Sequence, residues 1–196
     1  MSVYLTTAEL KTYLSITGAG DDTLLGRMCD AAEALVEQKL GCKVVAVSAT
    51  RYYDAIKDVR ANGADLVVDY HDVLTSVTNG DAVAVSTSNI QRMPVNGTYK
   101  NRLHLKASSG LTWTYSTDPV AAITVVATWG LVVNAAAVPA HIEEITQEIA
   151  AWLYRNRDSS MSSEILAVAR GGTILMPGKM PPALQSMLNQ LGGVFA

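Results

Sequence analysis

Three histidines, two cysteines and one pair of adjacent aspartates are the side chains of this 196-residue sequence whose chemistry first invites a metal site or a proton relay. His71, His104 and His141 fall in a predicted turn, a predicted strand and a predicted helix start. They do not converge in sequence. The nearest metal-type neighbour is Asp72 beside His71, and adjacent side chains on an extended backbone point to opposite faces. All three are therefore expected to be solvated surface histidines. Cys29 and Cys42 have no cysteine or histidine beside them, which predicts reduced, structural thiols rather than a zinc site or disulfide framework. Asp21 and Asp22 lack the alternating acidic spacing and terminal Glu of a calcium loop and are expected to cap a helix.

No phosphate or nucleophile motif is present. Gly18-Ala19-Gly20 follows a helix rather than a strand and lacks the third glycine of a dinucleotide fingerprint. The sequence has no Walker loop, no G-x-S-x-G elbow and no H-E-x-x-H pair. Trp113, Tyr115 and Trp129 are the residues from which a sugar-binding platform would be built, although strand aromatics more often form core or cross-strand pairs. The reading is of a protein without catalytic residues, metal or cofactor.

Composition narrows the partners. With 49% hydrophobic residues, 17% charged residues and a formal charge of −3, the chain can bury a substantial core and has no basic excess to hold phosphate backbones. The opening MSVYLTTAEL lacks a basic region followed by an apolar stretch, and no run of about 18 apolar residues occurs. Neither secretion nor a membrane span is expected.

The elements that would position these residues divide by period. Thr6 and Glu9 form a predicted capping box opening a short helix to about Leu14. A second helix, capped at Asp21 or Asp22, carries Leu24, Leu25, Met28, Ala32, Leu35, Val36 and Leu40 on one stripe and ends at Gly41. From Lys43 to Trp129 the runs VVAV, DLVVDY, AVAV, RLHLKA, LTWTY and AAITVVATW predict about six to eight short strands. Turn signals separate them at Asn62–Gly63, Asn79–Gly80, Asn96–Gly97 and Ser109–Gly110. In VPAHIEEITQEIAAWLYRNRD, Pro139 suits the first turn, Glu143 and Glu144 the positive end, and Arg155 and Arg157 the negative end. Its predicted core face is Ile142, Ile145, Ile149 and Trp152, with Ala150, Ala151 and Leu153 widening the apolar sector. Residues SSEILAVAR are open to a short helix, GGTILMPGKMPP is interrupted by Gly and Pro, and a last helix is expected over about Ala183 to Leu191.

The fold expected is α+β: a helical platform from residues 1–42 and 131–196 with an antiparallel β module, sandwich or barrel-like, inserted as residues 43–130. Neither junction has a long Gly, Pro and Ser-rich linker.

The stretches YLTTAELKTYLSI, DDTLLGRMCDAAEALVEQKLG and ITVVATWG followed by VPAHIEEITQEIAAWLYRNRD resemble the head-to-tail connector (adaptor) proteins of long-tailed bacteriophages. Smaller members have a short β excursion between the helices, so this chain is similar to a subgroup with an enlarged β insertion. The resemblance implies a structural virion protein with no catalytic motif, assembled in the host cytoplasm and located in the neck. It implies a ring of twelve copies in the virion, bound to the portal protein on one side and to a stopper or tail-completion protein on the other. DNA would pass transiently through the lumen, and no membrane is involved.

In that family the C-terminal segment docks onto the portal. Here Ile174, Leu175, Met176, Met180, Leu184, Met187 and Leu188 are the apolar residues expected to do so, with Met suited to adaptable contacts. For the last helix, packing on its own subunit is an equal expectation. The alternative function is a non-catalytic β-type binding module of a virion surface or tail component, recognising a glycan or a protein.

Overall fold

A computed structural model describes residues 3–156, 168–169, 172–173 and 180–194. The chain is α+β and divides into two compact units, one formed by Met1–Gly41 with Val138–Ala196 and the other by Cys42–Ala137.

The first unit is helical. α1 (Thr7–Leu14) opens on the capping box: Glu9 N–H donates to Thr6 Oγ1 at 3.2 Å, and Thr6 N–H donates to Glu9 Oε2 at 2.7 Å. It closes on Ser15 in the left-handed conformation, with Ile16 N–H returning to Lys11 O at 2.9 Å. α2 (Asp22–Leu40) buries Leu25, Ala32, Val36 and Leu40 of the predicted stripe, with Cys29 among them, while Leu24, Met28 and Leu35 are half-buried, and it ends at left-handed Gly41. Asp21 stands at the N-cap without a side-chain cap bond; its carboxylate instead accepts the Tyr154 hydroxyl.

α3 (Ala140–Arg155) packs against α1, α2 and α4 (Pro182–Val194). Ile142 and Ile149 are fully buried and Ile145 nearly so, and each such side chain contributes about 1.5–3 kcal/mol by leaving water. Trp152 is only half-buried, while Tyr154 is buried. The expected core position at Trp152 is thus partly at the surface, because the face of α3 in contact with its neighbours turns through Ala150, Ala151 and Tyr154. Ala150 and Ala151 have no exposure at all, so they serve this unit's own core. A two-stranded piece, β7 (Val168–Ala169) against β8 (Gly172–Thr173), occupies the end of SSEILAVAR, which had been open to a helix.

The second unit is built on one six-stranded antiparallel sheet. Its strands are β1 (Val47–Tyr53), β2 (Asp65–Thr78), β3 (Ala84–Val85), β4 (Ile90–Met93), β5 (Lys100–Leu105) and β6 (Ile123–Trp129). Their spatial order is β1-β6-β2-β5-β4, with β3 paired to β2. β6 shows strict alternation: Ile123, Val125, Ala127 and Trp129 are buried, and Thr124, Val126 and Thr128 are half-buried. β2 is long because DLVVDYHDVLTSVT contains no Gly or Pro to stop it. Register shifts against β5 between Val67 and His71, and against β6 between His71 and Ser76, bend the sheet around its own core.

Neither a sandwich nor a barrel results. There is one principal sheet, and it is not closed, since β1 and β4 stand at opposite ends of the strand order. LTWTY is not a strand either. Only Tyr115 bridges, to Gly80, while Trp113 turns inward and donates from Nε1 to Ala64 O at 2.8 Å. The segment after β6 stays with the sheet unit because Val132 bridges Val45 and Leu131 N–H reaches Val44 O at 3.0 Å. Gly130 is required at this return: a Cβ there would lie 2.6 Å from Ala46 Cα, and its φ is +157°.

Candidate functional site

The histidines do not share a site. His71, expected in a turn at the surface, lies inside β2 and is 2% exposed, a correction that follows from the unbroken strand. Its Nδ1 lies 3.1 Å from Asp69 O, and its Nε2 has no hydrogen-bond partner among the described residues. Burial lowers its pKa, so the imidazole is held neutral. The ring sits edge-on to Trp129, with centroids 5.9 Å apart.

Around Trp129 the sheet unit gathers its polar anchors. Arg51 lies over the Trp129 ring at 4.7 Å and pairs with Asp69 Oδ2 at 2.5 Å, and Tyr53 Oη donates to the same Asp69 oxygen at 2.9 Å. Trp129 Nε1 donates to Ala49 O at 2.8 Å. Trp129 and Trp113 are buried and Tyr115 is exposed, so these three aromatics present no common platform for a sugar.

His104 is half-buried rather than freely solvated, with Nδ1 2.6 Å from Asp65 Oδ1. Asn62 Nδ2 donates to Asp65 Oδ2 at 2.9 Å, and Arg102 stands 3.9 Å from that oxygen. Burial acts to raise the Asp65 pKa, but the hydrogen bonds from Asn62 and His104 and the charges of His104 and Arg102 outweigh it and leave it lowered. This pins the loop after Asn62 to the start of β2. His141 is exposed at the start of α3.

Cys29 is fully buried in α2, and burial, with Glu33 and Asp30 nearby, pushes its thiol up to about 11. No group of three or more His, Cys, Asp or Glu is placed to hold a metal ion among the described residues. Among them, too, no helix is long and apolar enough to cross a membrane.

Of the C-terminal residues singled out for docking, Ile174, Leu175 and Met176 lie outside the described residues. Met180, Met187 and Leu188 are half-buried, whereas Leu184 is buried and α4 packs on α2 and α3. Lys39 Nζ donates to Asn189 Oδ1 at 2.8 Å across the α2–α4 contact. The last helix therefore has a place in its own unit's core through Leu184 and Leu191, and half-exposed methionine and leucine beside it.

Sequence reasoning missed Glu33. It lies on the buried side of α2, 6% exposed, and its carboxylate accepts the backbone N–H groups of Val3, Tyr4 and Leu5, each at 2.9 Å. The signal available was an acidic residue at a position flanked by the apolar stripe of Cys29, Ala32 and Val36.

No family model matches the sequence and no curated protein matches it. Solved structures do. A chain from the neck of an empty gene transfer agent (GTA) particle, computed with C6 symmetry, aligns over 96% of this chain and 88% of its own length, with a TM-score of 0.59 and 16% identity. The fold is one found in a GTA neck. A chain from the native particle's neck, computed with C12 symmetry, aligns over the same shares at TM-score 0.57 and 14% identity. A chain of the native GTA virion aligns over 96% of this chain and 89% of that one, at TM-score 0.56 and 15% identity. The likeness extends through both units, since either alone is far shorter than the aligned length.

Proposed function

We propose that this chain is a structural virion protein of the neck, the subunit of an adaptor ring that joins the portal vertex to the tail or stopper and surrounds the DNA exit channel. The observation that carries the reading is the likeness of fold, over 96% of the chain, to chains from GTA necks computed with C6 and C12 symmetry. The resemblance of the helical segments to head-to-tail connectors of long-tailed phages points the same way. The enlarged sheet unit belongs to the subgroup with a β insertion in this reading, and residues 43–130 form a module inserted into the helical platform.

The ring requires many copies related by rotation, each using two different faces. Portal protein on one side and a stopper or tail-completion protein on the other are its partners, with DNA passing transiently through the lumen. A net charge of −3 suits a channel wall that does not hold phosphates. No catalytic role is assigned. The second reading, a non-catalytic β-type binding module recognising a glycan or a protein, draws no support from Trp113 and Trp129, which are buried.

The C-terminal segment is assigned to the portal: Met180, Met187 and Leu188 are half-exposed apolar residues, and Ile174, Leu175 and Met176, outside the described residues, belong to the same proposed set. The test is attachment to purified DNA-filled heads that carry portals but lack tails, followed by co-sedimentation. The intact chain co-sediments, and a chain ending after Arg170 keeps its folded sheet unit yet stays in the supernatant, whereas failure of the shortened chain to fold would assign the last helix to its own unit's core instead. Equal binding by the shortened chain would remove the docking role from this segment, and failure of the intact chain to bind would overturn the adaptor reading.

A further inference from the structure

The sequence has three Asn-Gly pairs, and the sheet unit places each in a connection between strands: Asn62–Gly63 between β1 and β2, Asn79–Gly80 between β2 and β3, and Asn96–Gly97 between β4 and β5. An asparagine before glycine can lose its side-chain amide without an enzyme, because the next residue has no Cβ to keep its backbone nitrogen from the side-chain carbonyl. Two freedoms are needed. The side chain has to turn its Cγ towards the following N–H, and that nitrogen has to give up its proton.

At Asn62 both are taken. Its Nδ2 donates to Asp65 Oδ2 at 2.9 Å, its Oδ1 accepts the N–H groups of Ala64 and Asp65 at 3.1 Å, and Gly63 N–H donates to Arg60 O at 2.9 Å. Asn79 is buried and held as firmly. Its Nδ2 donates to Thr112 O at 2.9 Å and its Oδ1 accepts from Thr114 N–H at 3.1 Å. Gly80 N–H is shared between Thr114 O at 3.0 Å and Asn79 Oδ1 at 3.1 Å.

Asn96 differs from both. It is exposed, and neither its side-chain amide nor the Gly97 N–H has a hydrogen-bond partner among the described residues. Exposure alone does not set it apart, since Asn62 is exposed as well; the absence of bonds does. The turn around it is nonetheless tightly built. Lys100 Nζ donates to the carbonyls of Pro94, Val95 and Gly97 at 2.6, 2.9 and 2.7 Å, and a Cβ on residue 97 would lie 2.4 Å from Pro94 Cγ. Packing thus demands the glycine that leaves the reaction unhindered, and the ammonium beside it favours the negative charge that develops as the Gly97 nitrogen loses its proton.

We infer that Asn96–Gly97 is a self-modification site, where Asn96 is converted by water to a carboxylate. The deprotonated Gly97 nitrogen attacks Asn96 Cγ, the new N–Cγ bond replaces the Cγ–Nδ2 bond, and ammonia leaves from a five-membered imide. Water then opens the ring. Cleavage at Cγ gives aspartate, and cleavage at the Asn96 backbone carbonyl gives isoaspartate, with one more carbon in the main chain. No oxidation or reduction is involved. Either product adds one acid to a chain of formal charge −3, making it −4. The new carboxylate arises in the turn that Lys100 spans, and its charge-assisted bond to the ammonium would compete with the three neutral carbonyls. The inference is independent of the neck reading.

The test is peptide mapping by mass spectrometry of the full chain, stored folded and, separately, in urea at the same mildly alkaline pH. Trypsin releases residues 93–100, MPVNGTYK, as one peptide, so Asn96 is read by itself. In the folded chain Asn96 should become aspartate and isoaspartate at least about tenfold faster than Asn62 or Asn79, whose sites must first open locally. In urea the three rates should converge. Asn96→Gln, a surface change, should leave the amide in that peptide intact. If Asn96 keeps its amide in the folded chain as long as Asn62 and Asn79 do, or if urea leaves its preference unchanged, the proposal is overturned.

Discussion

The hydroxyl of Tyr13, at the end of α1, donates to Glu148 Oε1 in the middle of α3 at 2.5 Å, although 135 positions separate the two residues in sequence. The guanidinium of Arg155 lies 5.8 Å from the centre of the same tyrosine ring. The Tyr154 hydroxyl reaches Asp21 in the same way, from the end of α3 to the entrance of α2. The helices before and after the strands thus form one packed unit with its own core. Excision of residues 42–137, with a short linker in their place, should leave a soluble helical protein with cooperative thermal unfolding. Loss of all helix by circular dichroism would mean that neither unit can stand without the other.

Ile149 is fully buried at the centre of α3, and Trp152, one turn on, is half-buried. Ile149→Ala should cost about 2–5 kcal/mol by opening a cavity in the core of the helical unit. Trp152→Ala should cost less, since part of the ring already meets solvent. Urea midpoints of the two variants, compared at equal slope, give the order directly.

Glu33 holds three consecutive backbone donors, and its removal strands the N–H groups of buried Tyr4 and Leu5 inside the unit. Glu33→Ala should lower stability by about 3 kcal/mol or more, with the amides of Tyr4 and Leu5 losing protection from hydrogen exchange. Glu33→Gln keeps an oxygen in reach and should cost about 1–2 kcal/mol, the difference made by the charge.

Acid should loosen the sheet unit through His71. Its folded pKa is lowered by burial, so between the ordinary value near 6.5 and that lower value the unfolded chain binds more protons than the folded one. Stability is then full above about pH 6.5 and falls as pH drops, by up to about 1.4 kcal/mol per unit. His71→Phe should flatten this window. The carboxylates of Asp54 and Asp65 act separately and lower down. Asp54 is held below the ordinary carboxylate value chiefly by the N–H groups of Lys57 and Ile56, and Asp65 by its partners against burial. What they contribute is lost only as pH falls through their folded values. Unfolding followed by tryptophan fluorescence from about pH 2 to pH 8 separates the two windows.

The helices were legible because their signals are local. The capping box at Thr6 and Glu9, the stripe of α2 and the stop at Gly41 are decided within a few residues, and the structure places them where the pattern does. The α+β class followed from the change of period, and alternation in ITVVATW marks β6 residue by residue. The sheet's form was not legible, because strand order and register depend on partners far away in sequence. β4 was overlooked since IQRM carries no apolar alternation, and LTWTY passed for a strand although Trp113 is buried by a long-range bond to Ala64. His71 was misplaced by reading polarity as exposure inside a strand that nothing interrupts. For the candidate surfaces, the C-terminal apolar residues could be named from composition, but that Leu184 belongs to the core depends on how α4 meets α2 and α3.

The central claim, a ring of this chain in the neck, is tested most directly by cryo-electron microscopy of the particle that encodes it, with density for both the helical unit and the six-stranded sheet sought at the junction of head and tail. The adaptor reading predicts copies of the whole chain arranged about the channel axis, twelve in number, between portal and tail. The same particles with a neck built entirely from other chains, or with this chain at the tail tip or on the capsid surface, would contradict it.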